Sequence, residues 1–274
     1  MKPAAFDYRA AASVAEAADF LAAHGGAAKC VAGGQSLGPM LNMRLVRVAG
    51  LVDISRVAEL RRVDERGGAV RIGAAVTHAE IEDGEVVDPT GGWLRAAAAN
   101  IAHRAVRNRG TIGGSLAHAD PAADWSIVMT GLGAHAIVAR GGREERIAMD
   151  DFITGPFTTV LKDDDLLLGV EVPKPGKGAR WGYWKFTRQV GEFAKASATV
   201  LIDPENDQMR CAVGALGRQP LVLPDARALI KGRLTPRDAL QQALANRPIE
   251  ELALHVTALG RALEQAASME VATS

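Results

Sequence analysis

Cysteine is nearly missing from this chain: 274 residues hold two, Cys30 and Cys211, far apart and outside any CxxC spacing. That scarcity excludes a disulfide framework, a cysteine-rich zinc site and an iron–sulfur cluster held by this chain alone. Aromatic residues are scarce too, at 4%, so the core must be built from aliphatic side chains and alanine. Neither sign of charge is in excess, since 32 Lys and Arg balance 32 Asp and Glu. A neutral chain has no broad attraction for nucleic acid or for an anionic membrane surface. No apolar run reaches the roughly 18–20 residues that span a bilayer. The N-terminal stretch MKPAAFDYRA lacks the long apolar segment of a signal peptide. The expected setting is a reducing cytoplasm. No GxxxxGK[ST] is present, so there is no Walker-type loop.

Glycine, in contrast, is abundant, with 29 residues where average usage of about 7% would give roughly 20. Gly-Gly pairs occur at 25–26, 33–34, 67–68, 91–92, 113–114 and 141–142. Most should be turns, because glycine accepts positive φ without steric cost. Two pairs carry more. In AGGQSLGPMLNMRL (32–45), a strand runs into Gly33-Gly34, and Gln35 and Ser36 follow. In GTIGGS, Gly110, Thr111, Gly113, Gly114 and Ser115 repeat the pattern. Missing side chains let a ligand approach the main chain, and successive N–H groups can point at one anion. Two such loops could grip the two halves of a pyrophosphate. The same residues could also serve only as turns in a non-catalytic scaffold.

The periodicity predicts an α/β portion followed by a smaller α+β portion. Ser13 and Glu16 form a capping box that starts a helix, with Gly25 as its stop. Strands are expected at AAKCVA, GLVDIS (50–55) and AVRIGAAV (69–76), and a short helix with Pro39 in its first turn. One alanine-rich helix is predicted over 92–106, and another from Asp120-Pro121 to about Met129. AHAIVAR, Gly141-Gly142 and REERIAM read as a hairpin. VEVPKPGKGAR (170–180) ends a strand and has the composition of a linker or domain boundary. WGYWKFTR, ASATVLID and MRCAVGAL then read as an antiparallel sheet, and residues 235–246 and 249–268 as amphipathic helices.

Other candidates are weaker. GLGAHA (131–136) fits a Rossmann pattern but is followed by a strand and a Gly-Gly turn, leaving no room for the helix that pattern needs. His118 and Asp120 lack a third metal ligand at suitable spacing; a loop hydrogen bond and a helix cap are the plainer readings. RAVRNRG (104–110) is a local basic spot or simply a solvated helix end. Asp124 is either a solvated carboxylate or an acceptor for ribose or adenine groups. Lys185, between Trp184 and Phe186, points away from both; it reaches solvent or meets a ligand between domains.

AGGQSLGPMLNMRL and RNRGTIGGSLAHADPAAD resemble the two flavin signatures of the FAD-containing medium subunits of molybdenum hydroxylases. VEVPKP and KFTRQVGEFAKASA resemble the start of that family's C-terminal domain, so the likeness covers nearly the whole chain. The resemblance implies an α+β fold. Its first part, residues 1–174, would be an FAD-binding domain of the vanillyl-alcohol-oxidase/methylhydroxylase type, with subdomains of about 1–57 and 58–174. A small C-terminal domain of antiparallel sheet plus helices would follow, over 175–274.

It further implies that the FAD pyrophosphate lies between Lys29, Cys30, Val31, Ala32, Gly33, Gly34, Gln35, Ser36 and Leu37 on one side and Thr111, Gly113, Gly114 and Ser115 on the other. Ile101 would sit near the adenine end or the ring edge. Asp124 would bond a polar group of the cofactor, and Leu167 and Lys185 would flank the isoalloxazine. No catalytic side chain and no metal ligand is implied. The family's partners are a small subunit with two [2Fe–2S] clusters and a large subunit with the molybdenum cofactor; electrons leave the flavin for an external acceptor. A stand-alone FAD-dependent oxidoreductase is the alternative. The cysteine-rich loop of relatives that act on acyl-CoA is absent from this sequence. Gly38 stands where relatives often carry a larger aliphatic residue, and Trp125 and Trp181 are bulky enough to bear on acceptor or subunit contacts.

Overall fold

A computed structural model describes residues 2–269. The chain opens with β1 (Asp7–Ala10), α1 (Val14–Ala23), β2 (Ala28–Val31), α2 (Leu37–Asn42) and β3 (Gly50–Asp53). The three strands form a parallel sheet in the order β1-β3-β2. Ser13 caps α1 by accepting the Glu16 N–H at 3.2 Å. The Glu16 carboxylate reaches past the cap to the Ala12 N–H at 2.8 Å, so only half of the predicted capping box forms. Ala17 and Leu21 turn inward from α1; a fully buried leucine contributes roughly 1.5–3 kcal/mol.

Next come β4 (Val63–Arg66), β5 (Ala69–Gly73), α3 (His78–Asp83), α4 (Trp93–Ala99), α5 (Arg104–Arg107), α6 (Ile112–His118) and α7 (Asp124–Gly131). They are followed by β6 (His135–Arg140), β7 (Arg143–Ala148), α8 (Met149–Phe152), β8 (Ile153–Gly155), β9 (Thr158–Thr159) and β10 (Leu166–Pro173). The central sheet is antiparallel, in the order β4-β5-β10-β6-β7. β10 sends Leu166 and Leu168 into a core shared with α1 and β3. Leu167, Val170 and Val172 enter the opposite core with α4, α6 and α7. A register shift between Leu167 and Gly169 lets residues of opposite parity share that face.

Two predicted helices differ in extent. The single helix over 92–106 is broken: α4 ends at Ala99, Ala102 takes a φ of +43°, and α5 begins at Arg104. Cations satisfy the carbonyls freed at the break. Lys185 Nζ donates to Asn100 O at 2.9 Å, and Arg107 Nη1 donates to Ile101 O and Ala102 O at 2.9 and 3.1 Å. The helix predicted from Asp120-Pro121 starts at Asp124 instead. Asp120 Oδ1 accepts the Ala122 N–H at 2.9 Å, closing a local turn that competes with helix.

Beyond the proline-rich connection lie β11 (Arg180–Phe186), β12 (Ala196–Asp203), β13 (Gln208–Gly214) and β14 (Leu221–Val222), in antiparallel sequential order. Three helices follow: α9 (Ala226–Ile230), α10 (Pro236–Ala243) and α11 (Ala253–Ser268). α11 lies flat on the sheet, because a Cβ at Gly182 would stand 1.9 Å from Ala262 O. The sheet's other face sends Tyr183, Leu201 and Ala212 into the core that holds α7. Asp203 Oδ2 ties the connection down by accepting the Gly176 N–H at 3.0 Å. Among the described residues, no helix is long and apolar enough to cross a membrane.

Candidate functional site

The first glycine loop leaves β2 at Val31 and enters α2 at Leu37. Gly34 has a φ of +70°, a left-handed turn that favours glycine, and a Cβ there would meet nothing nearer than Val31 Cγ2 at 3.6 Å. The Gln35 side chain folds back, its amide donating to Gly33 O at 3.2 Å. Ser36 is exposed and its hydroxyl makes no capping bond to α2. Among the described residues, the N–H groups of Gly33, Gly34, Gln35 and Ser36 donate to no protein acceptor. Four consecutive unpaired donors on a half-open main chain form a ready acceptor site for an anion. Lys29 is exposed at the start of this segment. Cys30 lies beside it with its thiol pushed up to about 12 by burial, so it stays protonated and unreactive.

The second loop hangs from residues 74–78. Gly113 N–H donates to Ala74 O at 3.0 Å, Ile112 N–H to Val76 O at 3.0 Å, and His78 N–H to Gly110 O at 2.9 Å. Thr111 caps the turn by accepting the Gly114 N–H at 3.0 Å. Gly113 has no room for a side chain, since a Cβ would stand 2.4 Å from that of Ala74. Gly114 is exposed instead. The support beneath is rigid. Thr77 and Glu80 form a complete capping box on α3, and Arg61 bridges to Glu80 at 2.5 Å. Buried His78 accepts the Trp125 indole N–H on Nδ1 at 3.0 Å, so its proton sits on Nε2. Burial, and then the Arg107 charge, pull the His78 pKa down to about 4.

The two loops meet. A Cβ at Gly33 would lie 1.9 Å from Arg109 O and 2.8 Å from Gly110 Cα. Arg109 Nε donates to Gly33 O at 3.4 Å, closing a contact across 76 positions of sequence. The glycines therefore divide their work. Gly33 and Gly113 let segments of the protein pack on one another, while Gly34 and Gly114 keep bare main chain available to a ligand.

A buried polar cluster lies between α7 and β11. Tyr183 Oη donates to Asp124 Oδ1. Lys185 Nζ donates to Asp124 Oδ2 at 2.9 Å, with both side chains almost wholly buried. Burial pushes the Asp124 carboxyl above the usual range, against the opposing pull of Lys185 and Tyr183. Burial and then the Asp124 charge push the Tyr183 phenol far up, which keeps it a donor.

The family model "FAD binding domain in molybdopterin dehydrogenase" matches residues 4–175. The chain belongs to this family. It is 36% identical over 243 residues to the nicotine 6-hydroxylase medium subunit of Paenarthrobacter nicotinovorans, covering 87% of this chain and 85% of that protein. It is 32% identical over 246 residues to the carbon monoxide dehydrogenase medium chain of Hydrogenophaga pseudoflava, covering 89% and 86%. A solved carbon monoxide dehydrogenase from the same organism superposes with a TM-score of 0.90 at 30% identity, over 98% of this chain and 99% of that one.

This FAD family frames the remaining residues. Ser115, half-buried, stands beside exposed Gly114 with its hydroxyl unpartnered among the described residues. Ile101, partly buried, packs against the core at the break after α4. Leu167 is buried in β10 and presents almost no surface to a ligand. The solvated reading of Asp124 and the solvent-reaching reading of Lys185 both give way to their mutual pairing. Both oxygens of Asp124 have protein donors, and Lys185 spends two of its three N–H groups on Asp124 and Asn100. Trp125 is wholly buried against His78, and Trp181 stacks on Trp93 with ring centroids 5.5 Å apart, so both bulky rings pack inside this chain. His118 sits 5.2 Å from the Phe157 ring. Sequence reasoning missed Tyr183, His78 and Arg109. The first two carry no local motif; Arg109 was visible only as one charge in a basic run.

Proposed function

We propose that this chain is the FAD-carrying electron-transfer subunit of a molybdenum hydroxylase complex. It takes electrons from the [2Fe–2S] clusters of a small partner subunit and delivers them to an external acceptor. Substrate oxidation takes place in a large partner subunit that holds the molybdenum cofactor, and substrate choice resides there. The names of the relatives, a medium subunit and a medium chain, support a role within a larger assembly. Bound FAD supplies the redox chemistry, a flavin that accepts and releases electrons. The chain's own residues bind and orient it. Lys29–Leu37 and Thr111–Ser115 flank the diphosphate, Gly34 and Gly114 leave the space for it, and the hydroxyls of Ser36 and Ser115 add donors. Lys185, held by Asp124 and the Asn100 carbonyl, fixes a positive charge near Ile101 on the path toward the ring system.

The observation that carries this reading is the run of four unpaired N–H groups at Gly33–Ser36, packed directly against the second glycine loop. The same reading divides the chain into an FAD-binding part, 1–174, with subdomains of about 1–57 and 58–174, and a C-terminal part, 175–274. It places the chain in a reducing cytoplasm, in keeping with two free cysteines. The test is purification of the full chain. It should be yellow, release about one FAD per chain on denaturation, and accept electrons from a reductant without turning over an organic substrate by itself. A folded, colourless chain that takes up no FAD refutes the assignment, and substrate turnover by the isolated chain replaces it with a stand-alone oxidoreductase.

A further inference from the structure

Three arginines precede the second glycine loop, and the structure uses them differently. Arg104 is held by Asp83 at 2.6 and 2.5 Å and by Glu82 at 3.0 Å. Arg107 is held by Glu82 at 2.7 and 3.0 Å. Arg109 alone of the three has no carboxylate within ion-pair distance among the described residues. Its backbone and side chain bracket one residue of the other loop. Its carbonyl faces the Gly33 Cα, and its Nε donates to the Gly33 carbonyl, which also receives the Gln35 amide.

The peptide that joins Gly33 to Gly34 is planar and trans, so its C=O and N–H point in opposite directions. Two glycines flank it, and a Gly-Gly peptide can turn over with little steric resistance. In one orientation the Gly34 N–H joins the neighbouring N–H groups at the anion site. In the other, the Gly33 carbonyl oxygen occupies that place and repels an anion. Donors that grip the Gly33 oxygen from behind select the first orientation.

We propose that Arg109 is a positioning residue for the cofactor's diphosphate. Its guanidinium clamps the Gly33 carbonyl and so aims the Gly34 N–H at the anion. The inference rests on the FAD reading of the two loops and adds a control element to it. Arg109 touches no reacting atom; it acts through the peptide plane, and Gln35 shares the task. The clamp also ties the two loops together, because the donor that holds the first loop belongs to the chain segment that begins the second.

The test compares the full chain, alone or in its complex, as wild type, Arg109→Met, Arg109→Lys and Arg104→Met. FAD and riboflavin, which lacks the diphosphate, are each titrated into the apo form. Arg109→Met should weaken FAD about 10-fold, the worth of one hydrogen bond to an ionic partner. Riboflavin affinity should stay unchanged. Arg109→Lys, which keeps a donor of similar reach, should recover most of the loss, and Arg104→Met should leave FAD affinity as it is. The Gly34 amide resonance of the labelled apo chain should broaden or split in Arg109→Met alone. An Arg109→Met chain that binds FAD within about twofold of wild type overturns the clamp. So does an equal loss for FAD and riboflavin. A wild-type chain that binds no FAD overturns the underlying reading and the clamp together.

Discussion

Replacing Gly33 by alanine puts a methyl group 1.9 Å from Arg109 O and 2.8 Å from Gly110 Cα. A carbon and a carbonyl oxygen approach comfortably to about 3.3 Å, so the loops must part by roughly 1.4 Å. Neither side yields cheaply. The obstructing atoms are backbone, and Gly110 is fixed from behind by the His78 N–H and by the His78 ring, which a Cβ at Gly110 would meet at 2.8 Å. Forcing an extra carbon into such a contact costs about 1–3 kcal/mol of stability. A displacement of about 1 Å in a binding constellation costs on the order of 100-fold in its function. Urea unfolding of the apo chain and FAD titration measure both. Gly33→Ala should lower stability by about 2 kcal/mol and weaken FAD about 100-fold. Gly38→Ala supplies the contrast: its Cβ meets nothing within 4 Å, and it lies inside α2. That change should stabilise the chain by up to about 1 kcal/mol and leave FAD binding alone. A Gly33→Ala chain with unchanged stability and FAD affinity within about twofold of wild type would refute the packing account of the two loops.

Gly34→Val and Gly114→Val should each abolish FAD retention on gel filtration. At Gly34 the φ of +70° adds strain of about 1–2 kcal/mol; at Gly114 a Cβ would stand 2.8 Å from the Thr111 Oγ that caps the loop. Lys185→Met leaves the buried Asp124 carboxylate without its cation, a loss of about 3–5 kcal/mol in thermal or urea unfolding; the double variant with Asp124→Leu should recover much of it. The His78 pKa is depressed to about 4 from an ordinary value near 6.5. The contribution of His78 to stability is therefore full above about pH 6.5 and is lost as pH drops, because the unfolded chain takes up a proton there that the folded one refuses; that loss levels off below about pH 4 at roughly 3 kcal/mol. Urea midpoints between about pH 7 and 4.5 should slope less in His78→Gln than in wild type, and equal slopes contradict the burial of that ring.

The fold was legible where local chemistry and tertiary contacts agree. The α1 cap at Ser13, the hairpin at Gly141-Gly142, the antiparallel sheet of β11, β12 and β13 and the late amphipathic helices all follow from short-range pattern. The misjudged stretches are ones where distant groups decide. Nothing in AAAANIAHRAVR shows that Lys185 and Arg107 will receive the carbonyls of a broken helix. Asp120-Pro121 has the composition of a helix start, yet the Asp120 side chain closes its own turn first. The glycine loops were visible as a pair, but their division of labour was not, because the neighbours of Gly33 and Gly113 come from 76 and 39 positions away. Lys185 was flagged by its strand alternation, and its partners, Asp124 and the Asn100 carbonyl, appear only once the third sheet packs on α7.

The most direct measurement is the structure of this chain crystallised with FAD. The diphosphate oxygens should accept hydrogen bonds from the unpaired main-chain N–H groups of Gly33–Ser36 on one side and lie against Gly114 and Ser115 on the other, with the Gly33 carbonyl turned away toward Arg109. FAD held elsewhere on the chain, or those amides filled by protein groups with the flavin present, would contradict the account at its base.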